Sequence, residues 1–329
     1  MSHVVLNHRI QQLCEGMLVL PLVMLIPLAS CNKVEKLKAE KKNPTEQETV
    51  QKAFTSPEDA GIAFYEAAKT GDQKTLLAIF GSDGKEVLFT GDVAKDKDSL
   101  QDFVAAYDQM HRWKRMKAGG EVLQIGADNY PFPIPLGQNS SGQWYFDTAA
   151  GKDEILARRI GTNELTAITA CEAIAGAQKE YFRQTHDGVA VKQYAQKFVS
   201  DPGTENGLYW PATGDRLSPL NDLDEFSKAV AANAGGQPLL FDGYYYRILV
   251  RPSDLVNGKP TRGFAILAYP ADYRNTGIMT FIVGKDGVVY QKDLGEKTGE
   301  IASAITEFNL ADGWNQAVPQ SGHALRARR

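Results

Sequence analysis

The chain has 329 residues, of which 43% are hydrophobic and 23% charged, and its formal net charge is -4. This length and composition are typical of a folded globular protein with two domains of roughly 100–200 residues each. The acidic balance argues against a general nucleic-acid-binding protein, which is usually basic, so we expect no nucleic-acid partner. No run of about 18 apolar residues occurs after position 31, so no internal membrane span is predicted.

Residues 1–30 are predicted to be a signal peptide. The apolar run Met17–Leu28 has 12 residues, which suits a signal-peptide core and is too short to cross a bilayer. It leads into Leu28-Ala29-Ser30-Cys31, which resembles the lipobox of bacterial lipoproteins. The resemblance implies that Cys31 becomes the first mature residue and is acylated, so that the membrane is a partner through this lipid anchor. The alternatives are an ordinary cleaved signal with a chance cysteine, which would leave a secreted or periplasmic protein, and a buried helix.

Asn32 bears on the destination of such a lipoprotein. In Gram-negative lipoproteins an aspartate after the cysteine usually retains the protein at the inner membrane. The resemblance therefore implies an outer-membrane lipoprotein that faces the periplasm. Of the three cysteines, Cys14 leaves with the signal peptide and Cys31 is acylated. Cys171 then remains alone, so no disulfide is expected within the mature chain.

Residues 31–53 are predicted to be a charged tether. They mix lysines and glutamates around Pro44 without a regular apolar stripe, which favours a solvated segment over a short helix. A flexible segment of about 20 residues has an average end-to-end distance of roughly 25 Å. The tether could therefore hold a folded domain clear of the lipid headgroups.

Residues 54–157 are predicted to form an α+β domain. Ser56-Pro57-Glu58-Asp59 joins a capping serine, a proline suited to the first helical position and two acids that complement the helix dipole. A helix therefore begins here and ends near Gly71. The predicted elements that follow are a short helix ended by Gly81, a strand at Val87–Thr90, a helix at Leu100–Trp113, and strands at Val122–Ile125 and Gln143–Asp147. This order resembles the cone-shaped fold of nuclear transport factor 2 relatives.

Residues 158–314 are predicted to form a second α+β domain, in which one long helix lies on an antiparallel sheet. Asn163–Arg183 repeats apolar residues at helical spacing, and a second helix is predicted at Val189–Val199. Short connections make neighbour pairing the default for the strands, and Gly284-Lys285-Asp286-Gly287 is typical of a hairpin turn. The predicted strands are Tyr244–Val250, Gly263–Tyr269, Ile278–Val283 and Val288–Lys292.

This second domain resembles the globular part of type IV pilins and pseudopilins. The likeness lies in a helix with Ala177-Gln178 and Tyr181, followed by a small sheet that closes in Gly277–Val283. Pilins begin with a long apolar helix, and none precedes Asn163, so a filament subunit is not expected. Residues 315–329 are predicted to be a disordered basic tail.

Several short motifs, spread over roughly Phe54–Trp314, together resemble the bacterial lipoprotein family built on domain of unknown function 2950. The resemblance implies an envelope protein whose activity is not known. The motifs are Pro131-Phe132-Pro133-Ile134-Pro135, Trp144-Tyr145-Phe146-Asp147, Arg158-Arg159-Ile160-Gly161, Gly207-Leu208-Tyr209-Trp210-Pro211, Ser218-Pro219-Leu220 and Gly243-Tyr244-Tyr245.

Arg158 and Arg159, next to Asn163 and Glu164, form the densest polar group in the chain. Arginine forks can hold a carboxylate or phosphate through two hydrogen bonds. One hypothesis is therefore an anion site between the two domains. The alternative, which we favour, is a structural junction in which the arginines pair with nearby acids such as Glu154.

A second candidate surface consists of Tyr209, Trp210, Tyr244 and Tyr246. Such side chains could line a groove for sugar or peptide, because they combine apolar area with a polar tip. Alternate residues of a strand point to opposite sides, so Tyr244 and Tyr246 share one face. Burial of most of these rings in the core is the competing interpretation, and we favour it.

The search for catalytic chemistry finds no motif. The mature chain keeps His111, His186 and His323, which are too widely spaced for a local metal motif. There is no Gly-x-Ser-x-Gly elbow and no Walker-type loop. No catalytic residue, metal or cofactor is therefore predicted, and an enzyme is the less expected class.

The expected function is that of a lipid-anchored cell-envelope protein that acts as a binding or assembly module with an envelope protein as partner. Two alternatives remain open. One is a small-ligand binder or hydrolase that uses a cavity in the N-terminal domain. The other is a carbohydrate-binding module that uses the tyrosines.

Overall fold

The computed structural model describes residues 51–89, 91–212, 216–221, 224–232, 238–307, 309 and 313–317. These residues form a mixed α/β structure with seven α-helices and antiparallel sheets. The chain divides into two compact units, one up to Arg158 and one from Arg159. We call them the N-terminal unit and the C-terminal unit. The predicted signal peptide, Cys31 and residues 32–50 of the predicted tether lie outside the described residues.

Four helices precede the sheet of the N-terminal unit. The first begins where the sequence predicts, because the Ser56 side chain accepts a hydrogen bond of 3.1 Å from the backbone N–H of Asp59. It ends at Gly71, which adopts the left-handed conformation that glycine favours, with φ 68°. The helices are α1 (Pro57–Thr70), α2 (Gln73–Phe80), α3 (Gly84–Leu88) and α4 (Val93–Gln109).

Two predicted elements of this unit differ from the structure. The predicted strand at Val87–Thr90 is wrong, since its first two residues belong to α3 and pack against the core of the unit. Helix α4 begins earlier than the predicted Leu100, because the Asp92 carboxylate caps the backbone N–H groups of Ala94 and Lys95. The chain turns extended at Met110, so the residues after it form a strand.

The sheet of the N-terminal unit has five antiparallel strands in the order β1-β2-β4-β5, with β3 paired to β2. Leu123, Ile125, Leu136 and Phe146 are buried and face the helices. The strands are β1 (His111–Arg115), β2 (Glu121–Ile125), β3 (Tyr130–Pro131), β4 (Leu136–Gln138) and β5 (Trp144–Phe146).

The core of this unit is built around the ring of Phe64, which is 1% exposed. Its centroid lies 4.0 Å from that of Phe103 in a stacked arrangement and 4.9 Å from that of Phe80, edge to face. Phe132 and Phe146 add further rings at 5.2 Å and 5.8 Å. Aromatic pairs of this kind are favourable beyond the apolar area that they bury. The five rings therefore tie three helices to the sheet.

The last residues of the predicted tether belong to the folded N-terminal unit. The Gln51 side-chain amide donates to the carbonyl oxygens of Ile79 at 3.0 Å and Phe146 at 2.7 Å. The backbone N–H of Lys52 donates to the carbonyl oxygen of Ala78 at 2.7 Å. The chain thus enters the unit beside β5, where Phe54 also forms an isolated bridge.

Helix α5 (Thr148–Tyr181) has 34 residues and starts well before the predicted Asn163. Its first turn is fixed by Asp147, whose carboxylate accepts from the backbone N–H of Ala150 at 3.0 Å. The Thr148 hydroxyl also donates to the carbonyl oxygen of Phe80 at 2.7 Å. The boundary between the two units falls inside this helix, which contributes residues to both.

The C-terminal unit contains a six-stranded antiparallel sheet in the order β13-β12-β11-β10-β7-β6, and the four predicted strands are confirmed as β7, β10, β11 and β12. The helices are α6 (Asp224–Ala232) and α7 (Thr298–Ala304), in addition to α5. The strands are β6 (Leu239–Phe241), β7 (Tyr244–Leu249), β10 (Ala265–Pro270), β11 (Met279–Gly284), β12 (Val289–Asp293) and β13 (Asn315–Gln316), with β8 (Leu255–Val256) and β9 (Lys259–Pro260) in a separate hairpin.

Both faces of this sheet are buried. In the middle of one face Ala268 pairs with Tyr246 on one side and Phe281 on the other, and the three pack with residues of α5 such as Ile174. On the other face Leu267 and Ile282 belong to a smaller cluster with Ala302 of α7. The central strand β10 is accordingly buried at all six positions, which is why its sequence is an apolar run.

Two predictions for the C-terminal unit are wrong. Residues 189–199 do not form a helix, because the Gln178 amide binds the backbone N–H and carbonyl of Ala195, at 2.9 Å and 2.8 Å, so these groups are not available to a helix. The predicted disordered tail begins too early, since Asn315–Gln316 form β13 and Ala317 is 5% exposed. Residues 318–329 lie outside the described residues.

We predict that Phe64→Ala lowers the free energy of unfolding by about 3–5 kcal/mol, because it leaves a cavity at the centre of the five rings. Ile62→Ala, on the same helix at a side chain that is 56% exposed, should change it by about 0.5 kcal/mol or less. Urea unfolding followed by circular dichroism measures both values. Similar losses for the two variants would contradict the central position of Phe64.

Candidate functional site

Arg158 is bound within the N-terminal unit. Its guanidinium donates to the Glu154 carboxylate at 2.7 Å, the Tyr130 hydroxyl at 2.6 Å and the carbonyl oxygen of Pro131 at 2.9 Å. It also lies over the Tyr130 ring, 5.2 Å from the centroid. Through these hydrogen bonds the guanidinium fixes the segment that contains Pro131.

Arg159, Asn163 and Glu164 all bind the loop that leads into β11. Arg159 donates to the backbone and side-chain oxygens of Asn275, and Asn163 donates to the carbonyl oxygen of Thr276 at 2.8 Å. One Glu164 carboxylate oxygen accepts the backbone N–H groups of Ile278 and Met279, each at 2.9 Å. Three of the four predicted residues, all on α5, therefore bind the same loop, and these hydrogen bonds occupy donor or acceptor atoms of each side chain.

The proposed aromatic surface is mostly core. Trp210 is 6% exposed, and Tyr244 and Tyr246 are 0% exposed, whereas Tyr209 is half-buried. Burial of the three rings removes them from any exposed sugar or peptide groove. Burial also raises the pKa of the Tyr244 and Tyr246 phenols above the ordinary value.

The two buried phenols differ in their hydrogen bonds. The Tyr244 hydroxyl donates to the carbonyl oxygen of Met279 at 2.9 Å. It also lies so close to Gly277 that any side chain at that position would overlap it, which explains the glycine. The Tyr246 hydroxyl has no hydrogen-bond partner among the described residues.

His186 forms a buried polar cluster that the sequence did not indicate. Its ring nitrogens lie 3.2 Å from the Glu205 carboxylate and 2.9 Å from the carbonyl oxygen of Tyr181. The Arg216 guanidinium pairs with the other Glu205 oxygen, and the His186 ring stacks on that of Tyr181 at 3.9 Å. The His186 side chain is 1% exposed and that of Arg216 is 71% exposed, so only the outer end of the cluster faces solvent and the imidazole does not.

Cys171 lies in the core of the C-terminal unit and is 0% exposed. Burial raises the pKa of its thiol above the ordinary value, so the reactive thiolate is disfavoured. Cys171 therefore acts as a small packing residue on α5.

The candidate site is a solvent-open groove at one end of the six-stranded sheet. It lies where β7 ends, β10 begins and β11 ends, because Ala265 pairs with both Leu249 and Gly284. Arg251, Arg262 and Lys285 line it together with residues 263–265. We call it the basic groove.

Arg251 is held in place by a buried carboxylate. Its Nε and Nη2 donate to the two Asp254 oxygens at 2.7 Å and 3.1 Å, and Asp254 is 5% exposed. This hydrogen bonding raises the pKa of Arg251 further above its ordinary value. Glycine at position 263 allows the backbone to lie close to the Asp254 carboxylate, since a Cβ there would be only 3.1 Å from it. The guanidinium is thereby oriented before any ligand arrives.

The size and charge of the basic groove define what it can hold. Its volume is about 230 Å³, which is below the roughly 300–1,000 Å³ of sites for drug-sized ligands. Within the described chain, neither Arg262 nor Lys285 has a carboxylate within 4.0 Å. Asp286 lines the groove, Asp254 pairs with Arg251 and Glu307 also acts on the charge of Arg251, so the local positive excess rests on Arg262 and Lys285. The groove therefore suits a single carboxylate or phosphate group.

Sequence reasoning did not find this groove. Arg251, Arg262 and Lys285 are spread over 35 positions and converge only through the pairing of three strands. The sequence predicted the hairpin turn that carries Lys285, but it did not predict that Arg251 and Arg262 lie near this turn.

Neither a metal cluster nor a membrane-spanning helix occurs among the described residues. They contain no group of three or more histidine, cysteine, aspartate or glutamate side chains placed to hold a metal ion. Across the same ranges, no helix combines the length and apolar character needed for a membrane span.

The fold and the groove define a mixed α/β protein with antiparallel sheets and a small basic surface site. A family model described as "Protein of unknown function (DUF2950)" matches residues 51–317. Because this match covers most of the chain, the protein belongs to that family, as the sequence motifs predicted. No curated protein and no solved structure matches the chain.

The two core tyrosines give a matched pair of variants. Tyr246→Phe removes a buried hydroxyl without a described partner, so we predict unchanged stability or a gain of up to about 1–3 kcal/mol. Tyr244→Phe removes the hydrogen bond to Met279 and should cost about 0.5–1.5 kcal/mol. Urea unfolding compares them, and an equal loss in Tyr246→Phe would contradict the prediction.

Proposed function

We propose that this protein is a lipid-anchored cell-envelope protein that acts as a binding module, and that the basic groove receives an anionic group of its partner. The observation that carries the proposal is the oriented Arg251 beside Arg262 and Lys285. Arginine that is fixed by a carboxylate keeps further N–H groups for a second anion. The partner class is an envelope protein with an exposed acidic segment.

Finer fold assignments belong to the same proposal. Helices α1, α2 and α4 pack against the antiparallel strands of the N-terminal unit, and this packing supports a cone-like fold of the nuclear transport factor 2 type. The long helix α5 packed on a mostly sequential antiparallel sheet supports a pilin-like fold for the C-terminal unit.

The two alternative functions lose support from the described core. The rings around Phe64 occupy the space between the helices and the sheet, where a ligand cavity of the N-terminal unit would lie. Trp210, Tyr244 and Tyr246 are buried, so they offer no stacking surface to a sugar. The basic groove is therefore the better candidate.

The lipid anchor is tested by metabolic labelling with palmitate in a bacterial host. We expect Cys31→Ser to abolish incorporation, because the thiol at position 31 is the acylated group. Cys14→Ser is the matched control and should remain labelled, since residue 14 lies within the predicted signal peptide. Label that persists in Cys31→Ser, or that is lost only in Cys14→Ser, would refute acylation at this site.

The basic groove is tested with a fluorescent peptide rich in aspartate and glutamate, compared with a lysine-rich peptide of equal length. We expect the chain to bind the acidic peptide, and the double variant Arg262→Glu/Lys285→Glu to bind it roughly tenfold more weakly, because attraction becomes repulsion. Fluorescence anisotropy at fixed ionic strength measures both.

The control for this test is Lys74→Glu/Lys192→Glu, which changes the net charge by the same amount at two exposed side chains outside the groove. It should bind nearly as the unmodified chain does. An equal loss in both double variants would show a general charge effect, and no binding of the acidic peptide would reject the groove as an anion site.

A further inference from the structure

Strand β1 forms one edge of the five-stranded sheet and pairs with β2 alone among the described strands. Four basic residues lie along this strand and in the turn after it: Arg112, Lys114, Arg115 and Lys117. All four are exposed. At about 3.3 Å per residue they span roughly 17 Å. We call them the basic edge.

The charge of the basic edge is only partly balanced by its surroundings. In the part of the chain that the structure describes, none of the four residues has a carboxylate within 4.0 Å. Arg112 donates to the neutral amide oxygen of Gln124 at 3.0 Å, and Glu121 lies across from Arg115 in the strand register. The formal net charge of the whole chain is -4, so the positive charge of the basic edge is a local exception.

The tip of the β1–β2 hairpin adds small apolar groups to these charges. Met116 is half-buried and Ala118 is exposed beside Lys117. The backbone N–H of Met116 donates to the carbonyl oxygen of Gly120 at 3.1 Å, and the N–H of Gly119 donates to the carbonyl oxygen of Met116 at 3.2 Å, which closes the hairpin. A projecting tip with cations and a few apolar atoms fits a layer of charged headgroups over hydrocarbon.

We propose that the basic edge binds the phosphate groups of anionic lipids in the membrane to which the protein is anchored. The choice of lipid over other polyanions rests on the anchor of the proposed function, because a tethered unit meets headgroups at high local concentration. Each lysine or arginine near an anionic surface strengthens binding by about fivefold. Four such residues are enough to orient a tethered unit.

The position of the tether is compatible with this contact. The described chain enters the N-terminal unit beside β5, at the opposite edge of the sheet from β1. Three strand spacings separate these edges, or about 14 Å. The roughly 20 residues between Cys31 and Gln51 would average about 25 Å as a flexible chain, so the anchor does not prevent β1 from reaching the headgroups.

The test uses the full mature chain with Cys31→Ser, so that acylation plays no part in binding. Co-sedimentation with vesicles of phosphatidylcholine, with and without phosphatidylglycerol, measures the partition coefficient at low and high salt. We expect salt-sensitive binding only to vesicles with phosphatidylglycerol. Lys114→Glu/Lys117→Glu should lower this coefficient by at least about 25-fold, since two attractive charges become repulsive.

Lys74→Glu/Lys192→Glu is again the control, because it leaves the lysines of the tether and the basic edge in place, and it should keep most of the binding. Lys114→Gln/Lys117→Gln removes the two positive charges without adding acidic groups, so a folding defect is less expected than in the glutamate variant. It should show an intermediate loss of vesicle binding. Equal binding by all variants would assign any membrane affinity to the tether and overturn the proposal. Binding to an acidic protein or nucleic acid but not to vesicles would overturn it as well.

The outcomes of this test and of the palmitate experiment are separable. A chain that is acylated at Cys31 but whose unacylated form ignores anionic vesicles would reject the basic edge and keep the anchor. A chain that is not acylated but binds anionic vesicles through Lys114 and Lys117 would keep the basic edge and reject the anchor.

Discussion

The C-terminal unit depends on hydrogen bonds from side chains of helix α5 to backbone groups that no helix or strand satisfies. Glu164 accepts two backbone N–H groups at the start of β11, and the buried Gln178 amide matches both polar groups of Ala195. A buried polar group left unpaired costs about 1–3 kcal/mol. These contacts therefore fix where the loops begin and end, and through them the position of the sheet.

This structural use of polar residues decides where binding can occur. Arg158, Arg159 and the His186 cluster look reactive by composition, yet their polar atoms are occupied by the protein. Cations that keep N–H groups for a further partner lie in the basic groove of the C-terminal unit and along the basic edge of the N-terminal unit. Both favour anions, which fits a protein whose cores are filled by its own aromatic and aliphatic side chains.

The local signals in the sequence were reliable where one turn or one strand carried the information. Ser56-Pro57 and Gly71 delimit α1 as predicted, and apolar runs located β7, β10, β11 and β12. Signals failed where distant contacts prevailed. Val191, Tyr194 and Phe198 have helical spacing, but the amide of Gln178 binds the backbone of this segment, which is not helical. The start of α5 was missed because its first turns lack an apolar stripe, although Asp147 is a recognisable cap.

The sequence by itself determined the family, the mixed α/β class and the most regular elements, because these follow from motifs and periodicities within short stretches of chain. Only the tertiary structure decided that Tyr244 and Tyr246 are core residues. It alone showed that Arg251, Arg262 and Lys285 meet, and that Arg112 and Lys114 lie on a strand with one partner among the described strands. The physical reason is that burial and convergence depend on which strands pair, and strand order is a long-range property that no local pattern encodes.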